Sequence, residues 1–167
     1  CRSGQLGSFN LRKLLEEQLP LYQSQEQIPL KLDYFTNLEE VYFSRSLISS
    51  FLENCVQNAA DSIRQAQPES PFIYIEVSEY SQQDRPSLRI SVYDNGVGIP
   101  PNTIDQLGKQ SVPSLKASGS GFGLYSLNNL LKRHGAALHC ANQQDGGAMI
   151  RLTFPLDLTP IDQNLHN

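Results

Sequence analysis

The chain has 167 residues, about one domain's worth, which is enough to bury a core without disulfides or a structural metal. Its 39% hydrophobic residues and net charge of −4, from 13 basic and 17 acidic side chains, exclude a disordered chain and offer no basic footprint for nucleic acid. No apolar run approaches the roughly 18 residues of a membrane span, and no charged-then-apolar leader opens the chain. Cys1, Cys55 and Cys140 are odd in number and lack any C-x-x-C spacing, which argues against a disulfide scaffold or a zinc site and makes a reducing, cytoplasmic location the default. Because the chain opens Cys1-Arg2-Ser3-Gly4 without a methionine, it is expected to be a piece of something longer. Residues 1–8 are expected to be a linker remnant, 9–157 the domain and 158–167 a tail.

In chain order, Leu11, Leu14, Leu15 and Leu19 lie at helical spacing and predict a helix over 9–22, with a kink or early end at Pro20. Residues 28–35 alternate (Ile28, Leu30, Leu32, Tyr34) as a strand does. The strongest helix is expected over 44–66, where Leu47, Ile48, Phe51, Leu52, Cys55, Val56, Ala59, Ala60 and Ile63 form a wide apolar stripe. Two strands follow, 72–78 and 88–93, joined by the polar stretch 79–87. Residues 94–101 read as a glycine-rich loop, 103–107 as a short helix, 108–120 as a loop and 122–133 as a helix stopping at Gly135. Strands 137–141 and 148–154 flank a turn at 143–147 and predict a hairpin. Mixed helices and paired strands make the fold class α+β.

Three motifs carry chemistry. The long helix holds Asn54 and Asn58, one turn apart, with Asp61 following; at about 100° per residue all three share the face turned away from most of the apolar stripe. Asparagine is a middling helix former, and its amide oxygen is a hard ligand that Mg²⁺ accepts beside phosphate and water. The second motif, Asp94-Asn95-Gly96-Val97-Gly98-Ile99, stands at a strand end; glycines let backbone approach a flat ligand, and a carboxylate accepts a hydrogen bond from the ligand's amino group. The third, Lys116-Ala117-Ser118-Gly119-Ser120-Gly121-Phe122-Gly123-Leu124, opens a helix, where free N–H groups and the positive dipole end favour an anion. Each motif alone has a plainer reading: a solvated helix face, a turn, and a hinge.

Taken in order, Asn-x-x-x-Asn-Ala, Asp-x-Gly-x-Gly and Lys-x-x-Gly-x-Gly-x-Gly-Leu resemble the GHKL ATPase superfamily, and within it the catalytic, ATP-binding domain of a sensor histidine kinase. The likeness runs from about Phe9 to Leu156 and includes the closing segment Gly147-Ala148-Met149-Ile150-Arg151-Leu152-Thr153-Phe154-Pro155. It implies a two-layer sandwich of the Bergerat type, with about five strands covered on one face by about three helices. It implies ATP as substrate and Mg²⁺ held by Asn58, with Asn54 supporting the metal, its water or a phosphate. It makes Asp94 the acceptor of the adenine amino group, with Gly96, Gly98 and Ile99 shaping the adenine slot. Gly119, Ser120, Gly121, Phe122, Gly123 and Leu124 become the hinge of a phosphate-binding lid, with Lys116 just before it. Asp61 belongs to the same ATP-facing surface.

The chain also departs from that pattern. Many such kinases carry a lysine where Asp61 stands, their phenylalanine-rich segment before the lysine is poorly matched by 107–114, and Ala148 replaces a threonine found in some members. In this family a phosphoacceptor histidine sits in a dimerising helical hairpin and is usually followed by an acidic residue; His134, His139 and His166 are followed by Gly135, Cys140 and Asn167. The acceptor is therefore expected on a helical domain of the parent protein, outside this chain. A response regulator is expected downstream, and the isolated domain is expected to be a monomer, without nucleic acid or direct membrane contact. Two alternatives remain: a protein serine kinase of the anti-sigma-factor type, and a degenerate nucleotide-binding regulatory module.

Overall fold

A computed structural model describes residues 4–106 and 122–158. In chain order its elements are β1 (Gly7–Asn10), α1 (Leu11–Glu26), β2 (Leu30–Tyr34), β3 (Glu40–Phe43), α2 (Arg45–Ala66), β4 (Ile73–Gln82), β5 (Arg85–Asp94), α3 (Pro101–Gln106), α4 (Phe122–Arg133), β6 (Ala137–Asn142) and β7 (Ala148–Pro155). The main sheet has the order β2-β4-β5-β7-β6. β2 runs parallel to β4 and the other neighbours are antiparallel. Helices α1, α2 and α4 pack on one face of this sheet, which is the expected two-layer α+β arrangement. Among the described residues no helix is long and apolar enough to cross a membrane.

The two long helices, α1 and α2, start where side chains cap them. Asn10 accepts the Lys13 N–H at 2.8 Å to begin α1, and Ser44 accepts the Leu47 N–H at 3.3 Å to begin α2. The whole predicted stripe of α2, from Leu47 to Ile63, is buried, and it meets Ile75, Val77, Ile90, Val92, Ile150 and Leu152 from alternate positions of β4, β5 and β7. Phe43 stacks on Phe154 with ring centroids 4.6 Å apart, which ties the short β1–β3 ribbon to the last strand.

Several expectations are corrected. The ribbon of β1 and β3 is new; Phe9 lies in it rather than in the first helix, since Asn10 is the cap. β1 begins at Gly7, two residues before the expected domain boundary. Pro20 neither ends nor shortens α1, which continues to Glu26. The proline faces solvent, so the carbonyl it leaves unbonded meets water, and buried Leu19 and the 3.1 Å bond from Gln18 to Ser49 Oγ hold that half of the helix. Finally, the polar stretch after residue 78 is no loop: β4 and β5 pair throughout, from Ile73↔Asp94 to Gln82↔Arg85. They turn at Gln83 and Asp84, both at positive φ (51° and 64°), the geometry of a two-residue hairpin turn. α3 begins at Pro101 rather than at Thr103.

Burial decides which apolar residues matter. Phe51→Ala, removing a fully buried ring from α2, is expected to cost about 3–5 kcal/mol. Leu21→Ala, at a position 67% exposed, should stay within about 0.5 kcal/mol. Urea denaturation of the two variants beside the parent chain checks both values.

Candidate functional site

A cavity of about 540 Å³ opens between the polar face of α2, the end of β5 with its following loop, and the β6–β7 hairpin. That volume lies within the range of about 300–1,000 Å³ typical of small-molecule sites. Asn58, Asp61, Ser62 and Gln65 form its polar wall, one helix face read at successive turns. Ile99, Ala148 and Ile150, all buried, give the apolar wall opposite.

Asp94 closes the bottom, 6% exposed. Its Oδ1 accepts the Gly96 N–H at 2.8 Å and the Ala148 N–H at 3.4 Å. Among the described residues Oδ2 takes no hydrogen bond, and it is left for whatever enters the cavity. Burial pushes the Asp94 carboxyl up from its ordinary value, while the two backbone N–H groups pull it partly back. The residue is thus a largely desolvated acceptor whose second oxygen the fold does not use, the kind of group a ligand N–H would bond.

The loop after Asp94 is held in place by several elements. Ser62 Oγ accepts the Val97 N–H at 2.9 Å. Asn95 accepts from Phe72 N at 3.0 Å and donates to Ser70 O at 2.8 Å, so it serves the loop's anchorage and not the cavity. Gly147, at φ +84°, lies so close to the Asp94 carbonyl that a side chain there would not fit.

The expected site residues divide into three groups. Asn58, Asp61, Asp94, Gly98 and Ile99 come together around one cavity, and Gly96 supports it through its N–H on Asp94. Asn54 does not line it: its Nδ2 donates to Ser50 O at 2.8 Å, and Gly123 at the start of α4 sits against its Oδ1 with no room for a Cβ. Buried Leu124 anchors α4 in the core and is absent from the lining too. Lys116, Gly119, Ser120 and Gly121 lie outside the described residues, as does the Phe122 side chain. Asp61 pairs with Arg64 at 3.3 Å, and Arg64 reaches Glu26 at 2.5 Å, which links the cavity wall to the end of α1.

The sequence reading did not single out Ser62, Gln65, Thr103, Asn142, Ala148 or Ile150 as lining residues. Ser62 and Gln65 had a signal, because they continue the polar face of α2 by one more turn. Asn142 lies 43 residues from its partner Ile99, and no local pattern connects the two. Cys55 and Cys140 are buried thiols held well up in pKa by desolvation, which fits packing rather than reactivity.

Among the described residues, no group of three or more His, Cys, Asp or Glu could hold a metal. A divalent ion bound here would depend on the Asn58 amide oxygen together with oxygens brought by the ligand. That donor set suits Mg²⁺, which keeps waters and substrate phosphates in its shell.

Comparison with known proteins gives the family and the fold. Residues 45–158 match the family described as histidine kinase-, DNA gyrase B- and HSP90-like ATPase. Sporulation kinase A of Bacillus subtilis (strain 168) is 24% identical over 150 residues, 88% of this chain and 23% of the relative. Sensor histidine kinase ZraS of Escherichia coli (strain K12) is 26% identical over 162 residues, 94% of this chain and 32% of the relative. The chain thus spans about a quarter to a third of the length of these curated relatives. Among solved structures, a nucleotide-free catalytic domain of histidine kinase ThkA superposes with a TM-score of 0.72 at 24% identity, over 91% of this chain and 96% of that one. A structure of ThkA in complex with response regulator protein TrrA aligns with a TM-score of 0.68 at 22% identity, over 92% of this chain and 42% of that one.

The buried carboxyl sets a measurable trade. Below its ordinary value of 3.8, Asp94 is protonated in both folded and unfolded chains and burial costs nothing through it. As pH rises the unfolded chain ionises first, so stability falls until the folded carboxyl ionises too, and the penalty is constant above that. Asp94→Asn keeps the Oδ1 acceptor without the charge. It is expected to match the parent's stability near pH 3 and to exceed it by an amount that grows from about pH 4 upward and then levels off. Urea melts across that range check the direction.

Proposed function

Since the chain belongs to the histidine kinase-, DNA gyrase B- and HSP90-like ATPase family, we propose that it is the ATP- and Mg²⁺-binding catalytic domain of a two-component sensor histidine kinase. The observation that carries the reading is the buried Asp94 with Oδ2 open at the bottom of the cavity, facing the polar wall of α2.

In this reading Asp94 accepts a hydrogen bond from the adenine amino group, while Ile99, Ala148 and Ile150 lie against the ring. A guanine, which presents an oxygen where adenine presents an amino group, would set acceptor against acceptor. Asn58 lies further along α2, where it can face the phosphates. Asn58, with phosphate oxygens of the nucleotide, would hold Mg²⁺, which would supply charge neutralisation for the transferred group. Asp61, Gly96, Gly98 and the segment Lys116, Gly119, Ser120, Gly121, Phe122, Gly123 and Leu124 complete the nucleotide contacts. Within that segment, backbone N–H groups and the Lys116 ammonium carry the phosphate charge. Asn54 then acts one step removed, holding the start of α4 beside the site. Phosphoryl transfer asks chiefly for positioning and electrostatics, and these residues supply both on the donor side.

The acceptor is a histidine on the dimerising helical domain of the parent protein, and the phosphoryl group passes on to a response regulator. The domain acts in the cytoplasm and is monomeric by itself. The histidine kinase identity of the relatives favours this acceptor over a partner's serine.

Titration calorimetry with a non-hydrolysable ATP analogue, with and without Mg²⁺, tests the reading. Asn58→Ala is expected to lose on the order of tenfold or more of the Mg²⁺-dependent affinity and to leave metal-free binding near the parent's. Equal losses in both conditions would reject the ligand role. Joined to its upstream helical domain, the chain is expected to place acid-labile, base-stable phosphate on a histidine. Intact nucleotide binding without that phosphate would point instead to a regulatory module.

A further inference from the structure

The β6–β7 hairpin does more than connect two strands. Its own ladder closes it, with Asn142 paired to Ala148, the Gln143 N–H on Gly147 O at 3.0 Å and the Gly146 N–H on Gln143 O at 3.2 Å. The backbone thus closes the turn by itself; the Asn142 side chain reaches out of it to the loop that follows β5, and the Gln143 side chain bridges the hairpin to the end of β5.

Asn142 grips one end of that loop as a peptide group would. Its Oδ1 accepts the Ile99 N–H at 2.7 Å and its Nδ2 donates to the Ile99 carbonyl at 2.6 Å. Gln143 grips the other end: its Nε2 donates to the Asp94 carbonyl at 2.9 Å and to the Ala148 carbonyl at 3.2 Å. The same hairpin sends the Ala148 N–H to Asp94 Oδ1 at 3.4 Å, and Gly147 lets its backbone approach the Asp94 carbonyl. Two consecutive amides thus hold the residue at the bottom of the cavity and the residue on its apolar wall.

We propose that Asn142 and Gln143 are positioning residues: a two-amide clamp that fixes Asp94 and Ile99 at the spacing a flat base requires before any ligand arrives. Preorganisation of this kind lowers the cost of binding, since the loop's conformational freedom is already lost. The clamp acts on the base end of the site, because its bonds end on Ile99, Asp94 and Ala148. The inference rests on the nucleotide reading given above.

The test is ADP affinity by calorimetry, with and without Mg²⁺, for Asn142→Ala, Gln143→Ala and the control Gln144→Ala at the exposed tip of the same turn. Loss of positioning worth one hydrogen bond, about 0.5–1.5 kcal/mol, corresponds to an affinity loss of about two- to thirteenfold for each clamp variant, and none is expected for the control. The ratio of affinities with and without Mg²⁺ should remain the parent's. Asn142→Asp, which keeps the acceptor for the Ile99 N–H and loses the donor, should also weaken binding. It serves as the second probe where the alanine variant unfolds. Parent-like ADP affinity in folded clamp variants, or a loss confined to the Mg²⁺-dependent part, would overturn the clamp. Failure of the parent chain itself to bind ADP would overturn the nucleotide reading, and the clamp with it.

Discussion

The packing of α2 on the sheet is the constraint from which the rest follows, because one rotation of one helix sets both the core and a wall of the cavity. A helix repeats every 3.6 residues, so burying Cys55, Ala59, Ala60 and Ile63 obliges Asn58, Asp61, Ser62 and Gln65 to project on another side. Ala59 and Ala60, 2% and 0% exposed, are small enough to let the helix settle close to the strands. A larger side chain at either position would have to be accommodated by lifting the helix, since interiors are close-packed. Lifting it would draw Ser62 Oγ away from the Val97 N–H and open the cavity at its polar wall.

The sheet's two faces are finished differently. One is covered by helices; on the other, long polar side chains cover their own neighbours. Arg151 donates to Ser91 Oγ at 2.8 Å and to the Tyr93 hydroxyl at 3.2 Å, the Arg89 guanidinium lies 3.2 Å from the Tyr80 ring centroid, and the Tyr74 hydroxyl donates to Asp33 at 2.8 Å. Ser91 is only 2% exposed as a result. Cross-strand pairing places these groups opposite or diagonal to one another. Extended antiparallel pairing of β4 with β5 is what makes such a lattice available, and it carries β5 through to Asp94 at the cavity end of the sheet.

How far the sequence revealed all this depends on the range of the interactions concerned. α2 was legible because twenty-two residues of amphipathic pattern leave little choice of rotation. β1 and β3, at four residues each, are too short to show a period, and polar Ser8, Asn10 and Glu40 obscure what there is. The β4–β5 turn carries Gln83-Asp84 rather than a glycine pair, so its hairpin signal was absent although both residues adopt positive φ. In the site, Asp94 and Asn58 announced themselves through local chemistry. Asn54 shares the helical phase of Asn58, but helical phase alone cannot tell which neighbouring helix a residue will meet, and α4 meets this one at Gly123. Gln143 falls in the predicted turn 143–147, and Asn142 lies between that turn and the predicted strand 137–141. Their partners lie 43 and 49 residues away, and no local pattern encodes a contact of that kind.

The cavity's chemistry and the fold's stability meet at Asp94. A carboxylate removed from water costs free energy unless its oxygens are bonded, and here both available N–H groups converge on Oδ1. The fold therefore leaves Oδ2 facing the cavity, an arrangement that a purely structural loop would not require. The desolvation that burdens the free protein also strengthens the bond a ligand makes to Oδ2, because an electrostatic contact gains in a low-dielectric surrounding. A ligand that donates there binds the folded chain alone and shifts folding in its favour as its concentration rises. Burial, the Gly96 and Ala148 N–H groups and the side-chain amides from the hairpin are thus parts of one arrangement, in which the fold holds a charge in an unfavourable place and leaves the ligand to relieve it.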